Sequence, residues 1–310
     1  MVFHPAERTI LLVTAALGVA SFFLAWWKDI AFGPGFFTFS VGFAALMIGI
    51  GQIYRQVRDS ERIALATHVL GLFVAYSAFG AFFNIVLLPR PTAPVDAALV
   101  RMDALLGYSW PAFIAWFAKH PDFNEVVRKL YTLTFIQLLA AFIALGFMLD
   151  RRRLHAAALG TVIASLATIF CWAMLPSGGA AAYWTLDPEV ERIVRPVVSS
   201  AYGAELNRLF RDGVTDLSAM GVTGLVGFPS FHTVMALMSL FALWPYRIAR
   251  FLLVPLSLLL LPGILAHGGH NLMDVLAGAA IAAGSWALGL WIYDAQTRVA
   301  EAAQPIPTPV

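Results

Sequence analysis

The chain has 310 residues, 60% of them hydrophobic and only 12% charged, with a formal charge of +2. Soluble domains carry about 25% charged residues, so this composition excludes an ordinary water-soluble globule and predicts a surface that mostly faces lipid. The small net charge and the scatter of basic residues exclude a nucleic-acid partner, and the one cysteine, Cys171, excludes an internal disulfide.

A helix that crosses the hydrocarbon needs about 20 apolar residues. The first such run, 9–27, is longer than the roughly 7–15 residues of a signal-peptide core and ends in Trp26-Trp27-Lys28, an interfacial anchor. It is expected to be a retained span. Further spans are expected over 36–54, 63–88, 126–148, 154–175, 231–246, 250–267 and 271–293. The fold class is therefore all-α and polytopic, with about eight transmembrane helices.

The segment 89–125 opens on Pro89-Arg90-Pro91. It continues, from Val95 to Ala118, as an amphipathic stretch in which Asp96, Arg101 and Asp103 alternate with Leu99, Leu105, Leu106, Trp110 and Phe113. Such a pattern predicts a helix lying in the interface. A second long segment, 176–228, opens on the turn signal Pro176-Ser177-Gly178-Gly179 and carries Glu189, Glu191, Arg192, Arg195, Arg208 and Arg211. Only the proline-rich end, 303–310, is expected to be disordered.

The loops 54–62, 150–153 and 245–250 are rich in arginine, whereas 28–35 has Lys28 alone and 267–270 has no lysine or arginine. The positive-inside rule places both termini and the arginine loops in the cytoplasm. Two polar segments then share the outer face. They are Gly227-Phe228-Pro229-Ser230-Phe231-His232 and His267-Gly268-Gly269-His270-Asn271-Leu272-Met273-Asp274. The helices that carry them form an antiparallel hairpin, so forty residues of sequence become a short gap in space.

Ionisable groups at a bilayer are costly and mark function by default. His270 and Asp274, four apart, share a helix face. The carboxylate can fix one ring nitrogen and leave the other as nucleophile or base. His232, at a helix N-terminus, lies where an anion is favoured. A phosphoryl transfer with His270 attacking phosphorus and His232 protonating the leaving alkoxide follows from this set. Ser230 alone reads as a helix N-cap. His68, His120 and His155 are each read as hydrogen-bonded or solvated side chains.

Pro229-Ser230-Phe231-His232 followed by His270-x-x-x-Asp274 resembles the second and third signature motifs of the type-2 phosphatidic acid phosphatase superfamily. The Phe in the first and Gly268–Gly278 in the second resemble its inositol-phosphorylceramide-synthase-like branch. Weaker likeness extends over about 85–293, through Val95–Leu99, Gly107–Pro111 and Leu209–Gly213. The resemblance implies a phosphatase-like helical core with His270 as nucleophile, Asp274 as its orienting partner, His232 as general acid and Ser230 in the phosphate pocket. It divides the chain into a three-span segment (1–88), a phosphatase/phosphotransferase-like membrane domain (89–293) and a tail (294–310). No cofactor or metal is implied; the partners are the membrane and a lipid bearing a phosphate headgroup.

Two departures concern phosphate binding. The usual Ser-Arg seven residues before the third-motif histidine is Gly263-Ile264 here, and the lysine motif has no match: Arg195-Pro196 has Pro188 seven residues before it. Arg208 and Arg211 are the expected substitutes, followed by Arg128 and Lys129. The expected activity is that of a lipid phosphotransferase or phosphatase, with transfer favoured, in a bacterial inner membrane with its site facing the periplasm or exterior. The alternatives are a zinc-dependent membrane hydrolase on His232, His267, His270 and Asp274, a lipid or proton transporter, and, more weakly, a serine protease lacking its usual elbow around Ser230.

Overall fold

The computed structural model describes residues 3–31, 33, 35–217 and 225–302, the side chain of Phe36 apart. The expected disordered end, 303–310, lies outside the described residues. Apart from one bridge between Ala31 and Asp216, every regular element among the described residues is helical. The N-terminal segment is α1 (Pro5–Trp27), α2 (Gly35–Gln56) and α3 (Glu61–Val86). Then come α4 (Asp96–Leu105), α5 (Trp110–Ala118), α6 (Pro121–Thr132), α7 (Thr134–Phe147) and α8 (Arg151–Met174). Three short helices, α9 (Ala180–Tyr183), α10 (Pro188–Val194) and α11 (Ser200–Asp212), precede α12 (Phe231–Leu243), α13 (Arg247–His267) and α14 (Leu272–Ala302).

Among the described residues, α1, α2, α3, α8, α13 and α14 are long and apolar enough to cross a bilayer, and α6 with α7 makes a seventh span bent by 50°. The bend falls at Leu133, between two threonines. Thr132 and Thr134 donate their hydroxyls to the carbonyls of Lys129 and Tyr131, both at 2.8 Å, in competition with the helical ladder. The remaining expected span, 231–246, is α12, whose 13 residues make about 20 Å at 1.5 Å per residue, so it does not reach across the roughly 30 Å of hydrocarbon. Pro245 stops it, having no N–H to continue the ladder. This short helix sits inside the bundle, packed by α7, α8, α13 and α14.

Two further boundaries differ from expectation. The single interfacial helix expected from Val95 to Ala118 is two, α4 and α5, because Gly107 turns the chain through φ +75°. The last helix runs on to Ala302, so residues 294–302 of the expected tail are helical.

The main core lies where α1, α3, α7, α8 and α12 meet, around Leu72, Phe73, Tyr76, Phe142, Leu159 and Met238. Lipid gives helices no hydrophobic reason to associate, so close packing at small residues does the work. Gly146 lets α7 approach within 2.7 Å of Ala66 backbone, and Gly160 lets α8 approach the Ser285 carbonyl at 2.9 Å, both measured from where a Cβ would stand.

The arginine loops gather at one end. Arg55 pairs with Glu7, Arg62 bonds the Phe147 carbonyl, Arg151 faces Glu61, Arg152 pairs with Asp294 and Arg153 bonds the Ala242 carbonyl. The histidine motifs lie at the opposite end, under α4, α5 and α9–α11.

Candidate active site

The site is assembled by main-chain contacts that pin three loops together. Ser230 donates its N–H to the Asp274 carbonyl at 2.9 Å, so the start of α12 rests on the first turn of α14. Gly278, one turn further, lies against the Ser230 carbonyl, where a Cβ would have no room. Gly227 accepts the same crowding: a Cβ there would stand 2.5 Å from the Ser177 carbonyl, which its own N–H bonds at 3.1 Å. Gly269 holds φ +61°, a left-handed turn that glycine adopts at little cost, and its carbonyl accepts the Ala181 N–H. The preceding turn is fixed by the Val198 N–H on the His267 carbonyl and by the Trp110 indole N–H on the Leu265 carbonyl, each at 2.8 Å.

Two acids of α4 complete this frame, and sequence reasoning had placed them on an interfacial helix facing water. Asp96 and Asp103 are 5% and 3% exposed. Asp103 accepts the N–H groups of Leu272 and Met273 at 2.8 and 3.0 Å, capping α14 from another helix. Asp96 accepts the Ser177 hydroxyl at 2.6 Å and the N–H groups of Gly178 and Gly179. Burial pushes both carboxyls up, and these backbone bonds pull them back. The signal was present as spacing: the two acids are seven apart, two turns on one face, with Leu99 between them.

Within the frame, His270 Nδ1 lies 2.9 Å from the Gly227 carbonyl and 3.2 Å from Asp274 Oδ2. Both neighbours are acceptors, so Nδ1 carries the proton and Nε2 keeps its lone pair. Asp274 is fully buried; its Oδ2 also accepts the Asn271 N–H at 2.8 Å, and its Oδ1 has no partner among the described residues. Burial lowers the His270 imidazole to about 4, with the Gly227 bond opposing, so the ring is neutral at physiological pH.

His270 and His232 line one cavity of about 360 Å³, together with Tyr131, Tyr202, Gly178 and Gly227. The two imidazole centroids are 6.2 Å apart at 61°, close enough to flank one tetrahedral group. Tyr131 of α6 packs its ring 4.4 Å from that of His232, a positioning contact the sequence had not singled out. Ser230 is fully buried outside the cavity lining, with Oγ accepting the Thr233 N–H at 3.4 Å as the N-cap of α12.

The structure brings His232, His270, Asp274 and Ser230 together, but only the two histidines line the cavity: Asp274 and Ser230 stand behind them, and none of the four basic residues is in the lining. Arg208 is half exposed and paired with Glu205 in its own helix. Arg211 is exposed on α11. Arg128 and Lys129 are held by Glu125, which also takes Arg195. Arg208, Arg128 and Lys129 each meet a carboxylate three or four residues away on their own helix. The family's usual Ser-Arg position is used for packing instead: a Cβ on Gly263 would stand 2.9 Å from the Val127 carbonyl of α6, and Ile264 is buried.

His267 is buried against Phe117, and neither of its ring nitrogens makes a full hydrogen bond among the described residues. Among the described residues no three His, Cys, Asp or Glu side chains are grouped to hold a metal, so the zinc alternative finds no ligand set.

Compared with known proteins, the chain matches no curated protein and no solved structure. The model of the PAP2 superfamily matches residues 97–288, which takes in both histidine motifs and well over half of the chain. The chain therefore belongs to the PAP2 superfamily, and that membership supports a phosphatase-type enzyme of the membrane.

Proposed function

We propose that the protein is a lipid phosphatase or phosphotransferase that works through a phosphohistidine on His270. One observation carries the reading: His270 Nδ1 faces two acceptors, the Gly227 carbonyl and Asp274, in a cavity that also holds His232. In the first step Nε2 attacks the phosphorus of a lipid headgroup. The P–N bond forms, the P–O bond to the alkoxide breaks, and His232 gives that alkoxide a proton. Asp274 stabilises the positive charge that develops on the ring. In the second step water or an alcohol attacks the phosphohistidine, its proton passes to His232, and Nε2 is released.

Water at this step makes the reaction hydrolysis; an alcohol makes it headgroup transfer, which the likeness to the inositol-phosphorylceramide-synthase-like branch favours. The substrate's tails stay at the depth of the outer leaflet, since the arginine-rich end is cytoplasmic by the positive-inside rule and the cavity lies at the other end, facing the periplasm or exterior of a bacterial inner membrane. Arg128, Lys129, Arg208 and Arg211 act in this reading at the rim. Glu125 alone faces three cations there, and the surplus positive charge draws anionic headgroups toward the mouth.

The test is a trapped phosphoenzyme. Purified protein quenched during turnover of a radiolabelled lipid phosphate should carry an acid-labile, base-stable phosphate on His270. A protein that turns the lipid over without that label, or whose His270→Ala variant keeps full activity, sinks the mechanism.

A further inference from the structure

A second cavity of about 350 Å³ adjoins the first, and the two share Phe135, Leu225, Val226 and His232. Its walls come from α3, α7, α8 and α12, and are mostly apolar: Phe73, Gly80, Ile169, Phe231 and Met235. It follows one face of α3 from Asn84, near the site, inward to Phe73. Those residues span about 16 Å at 1.5 Å per residue, close to one leaflet's half of a roughly 30 Å hydrocarbon core. A third cavity of about 590 Å³ shares Ser77, Ala81 and Phe135 with it and is bounded outside by Phe39 and Phe43 of α2. The chamber therefore runs from His232 toward the lipid-facing side of α2 and α3.

The occupant can be argued from depth, chemistry and continuity. A chamber lined by rings and methyls at bilayer depth suits hydrocarbon better than water. Its length fits a single-leaflet chain, and it opens on the phosphate cavity at a residue both share. At its head stands Asn84, 6% exposed, with an amide oxygen that has no partner among the described residues. α3 precedes residues 97–288, which the family model matches, whereas the walls from α7, α8 and α12 lie within them.

We propose that the chamber behind His232 holds one hydrocarbon chain of the lipid whose phosphate lies at His270, entering between α2, α3 and α7, with Asn84 bonding a polar group at the chain's head. The site rests on the lipid-phosphate reading above. Because the chain comes from bilayer hydrocarbon, the chamber gains little from the hydrophobic effect; it selects and positions by packing.

Two arms test this on the full protein in nanodiscs. In the first, phosphatidic acid with a diazirine midway along one acyl chain is photolysed and the adducts mapped. We expect label around Phe73, Phe135 and Met235, displaced in Gly80→Leu. Gly80 is suited to this because it lines the chamber and the nearest atoms to a Cβ there belong to Tyr76, at 3.7 Å or more, an ordinary contact distance, so the first added carbon fits and further bulk enters the chamber. Ser77→Leu is the second plug should the first not fold. Label confined to lipid-facing residues, label unchanged by either plug, or equal chamber labelling by a phosphate-free diazirine fatty ester would overturn the proposal. In the second arm Gly80→Leu should lower kcat/KM for dioleoyl phosphatidic acid about tenfold and leave the dibutyryl form within about twofold. An equal loss on both substrates, or none on either, counts against it. Labelling needs no turnover, so a protein that labels as expected yet turns nothing over overturns the lipid-phosphate reading and leaves the chain site standing.

Discussion

The protein buries two histidine–carboxylate clusters, one at each end of the bundle, and their geometry is nearly the same. At the site end His270 Nδ1 is 3.2 Å from Asp274; at the arginine end His155 Nε2 is 3.4 Å from Glu7. What differs is the counter-charge and the space. Glu7 is clamped by Arg55 through two bonds of 2.8 and 3.1 Å, accepts the His4 N–H, and has His68 at 4.0 Å. That cluster joins the starts of α1, α3 and α8 to the end of α2, and no cavity described above touches it. Among the described residues Asp274 has no Lys or Arg partner and leaves one oxygen unpartnered, and it orients a ring that lines open space. A histidine beside a carboxylate is therefore not a site by itself. It becomes a candidate when the carboxylate's charge is left for the imidazole and the imidazole's other nitrogen has somewhere to act.

The sharpest way to break this contrast is to exchange the expected phenotypes. His270→Ala should lower kcat by about 10³-fold or more with little change in thermal stability, read by lipid-phosphate assay and a melting curve. Arg55→Ala should do the reverse. It leaves Glu7 as an uncompensated buried charge, costing about 3–5 kcal/mol of stability, while kcat of the folded fraction stays within about twofold. Equal activity losses in the two variants would erase the distinction. His232→Gln should lower kcat by roughly 10²-fold, and the loss should shrink for a substrate whose leaving group needs no proton, such as a nitrophenyl phosphate. An undiminished loss would reassign His232 from acid to a packing or binding role.

Smaller effects sharpen the picture of the frame. Asp103→Asn should cost about 1–3 kcal/mol through the two N–H groups at the start of α14, and should lower kcat with it, because those bonds hold the turn that carries His270. The pH profile gives the smallest and cleanest reading. His270 must be neutral to attack, and burial has lowered it to about 4. Through this ring, activity is lost as pH falls past that value, so the acid limb of kcat/KM should lie near pH 4. A limb at about 6.5, the value of an unperturbed imidazole, would mean that His270 is more hydrated than the structure shows.

Composition and hydrophobic run lengths were enough to determine an all-α membrane protein, because bilayer thickness fixes how long an apolar run must be. The arginine loops were equally legible, since positive-inside bias acts locally; His270 and Asp274 do meet, but His270 stands in the turn before α14 rather than on one helix face with Asp274. Pro229-Ser230-Phe231-His232 and the His270 motif were short enough to read as text, and the family match covers both. Other features depended on chain segments far apart in sequence. Asp96 and Asp103 read as solvated charges until α4 was laid over the two loops whose N–H groups they accept. Arg208, Arg128 and Lys129 were legible as cations near the motifs, but their pairing with Glu205 and Glu125 appears only in the structure. The break at Leu133, the short buried α12 and the chamber behind His232 likewise arise from how helices cross. Local spacing determines which groups share a helix face; only packing decides which carboxylate meets a cation, which meets a histidine, and which ring is left facing open space.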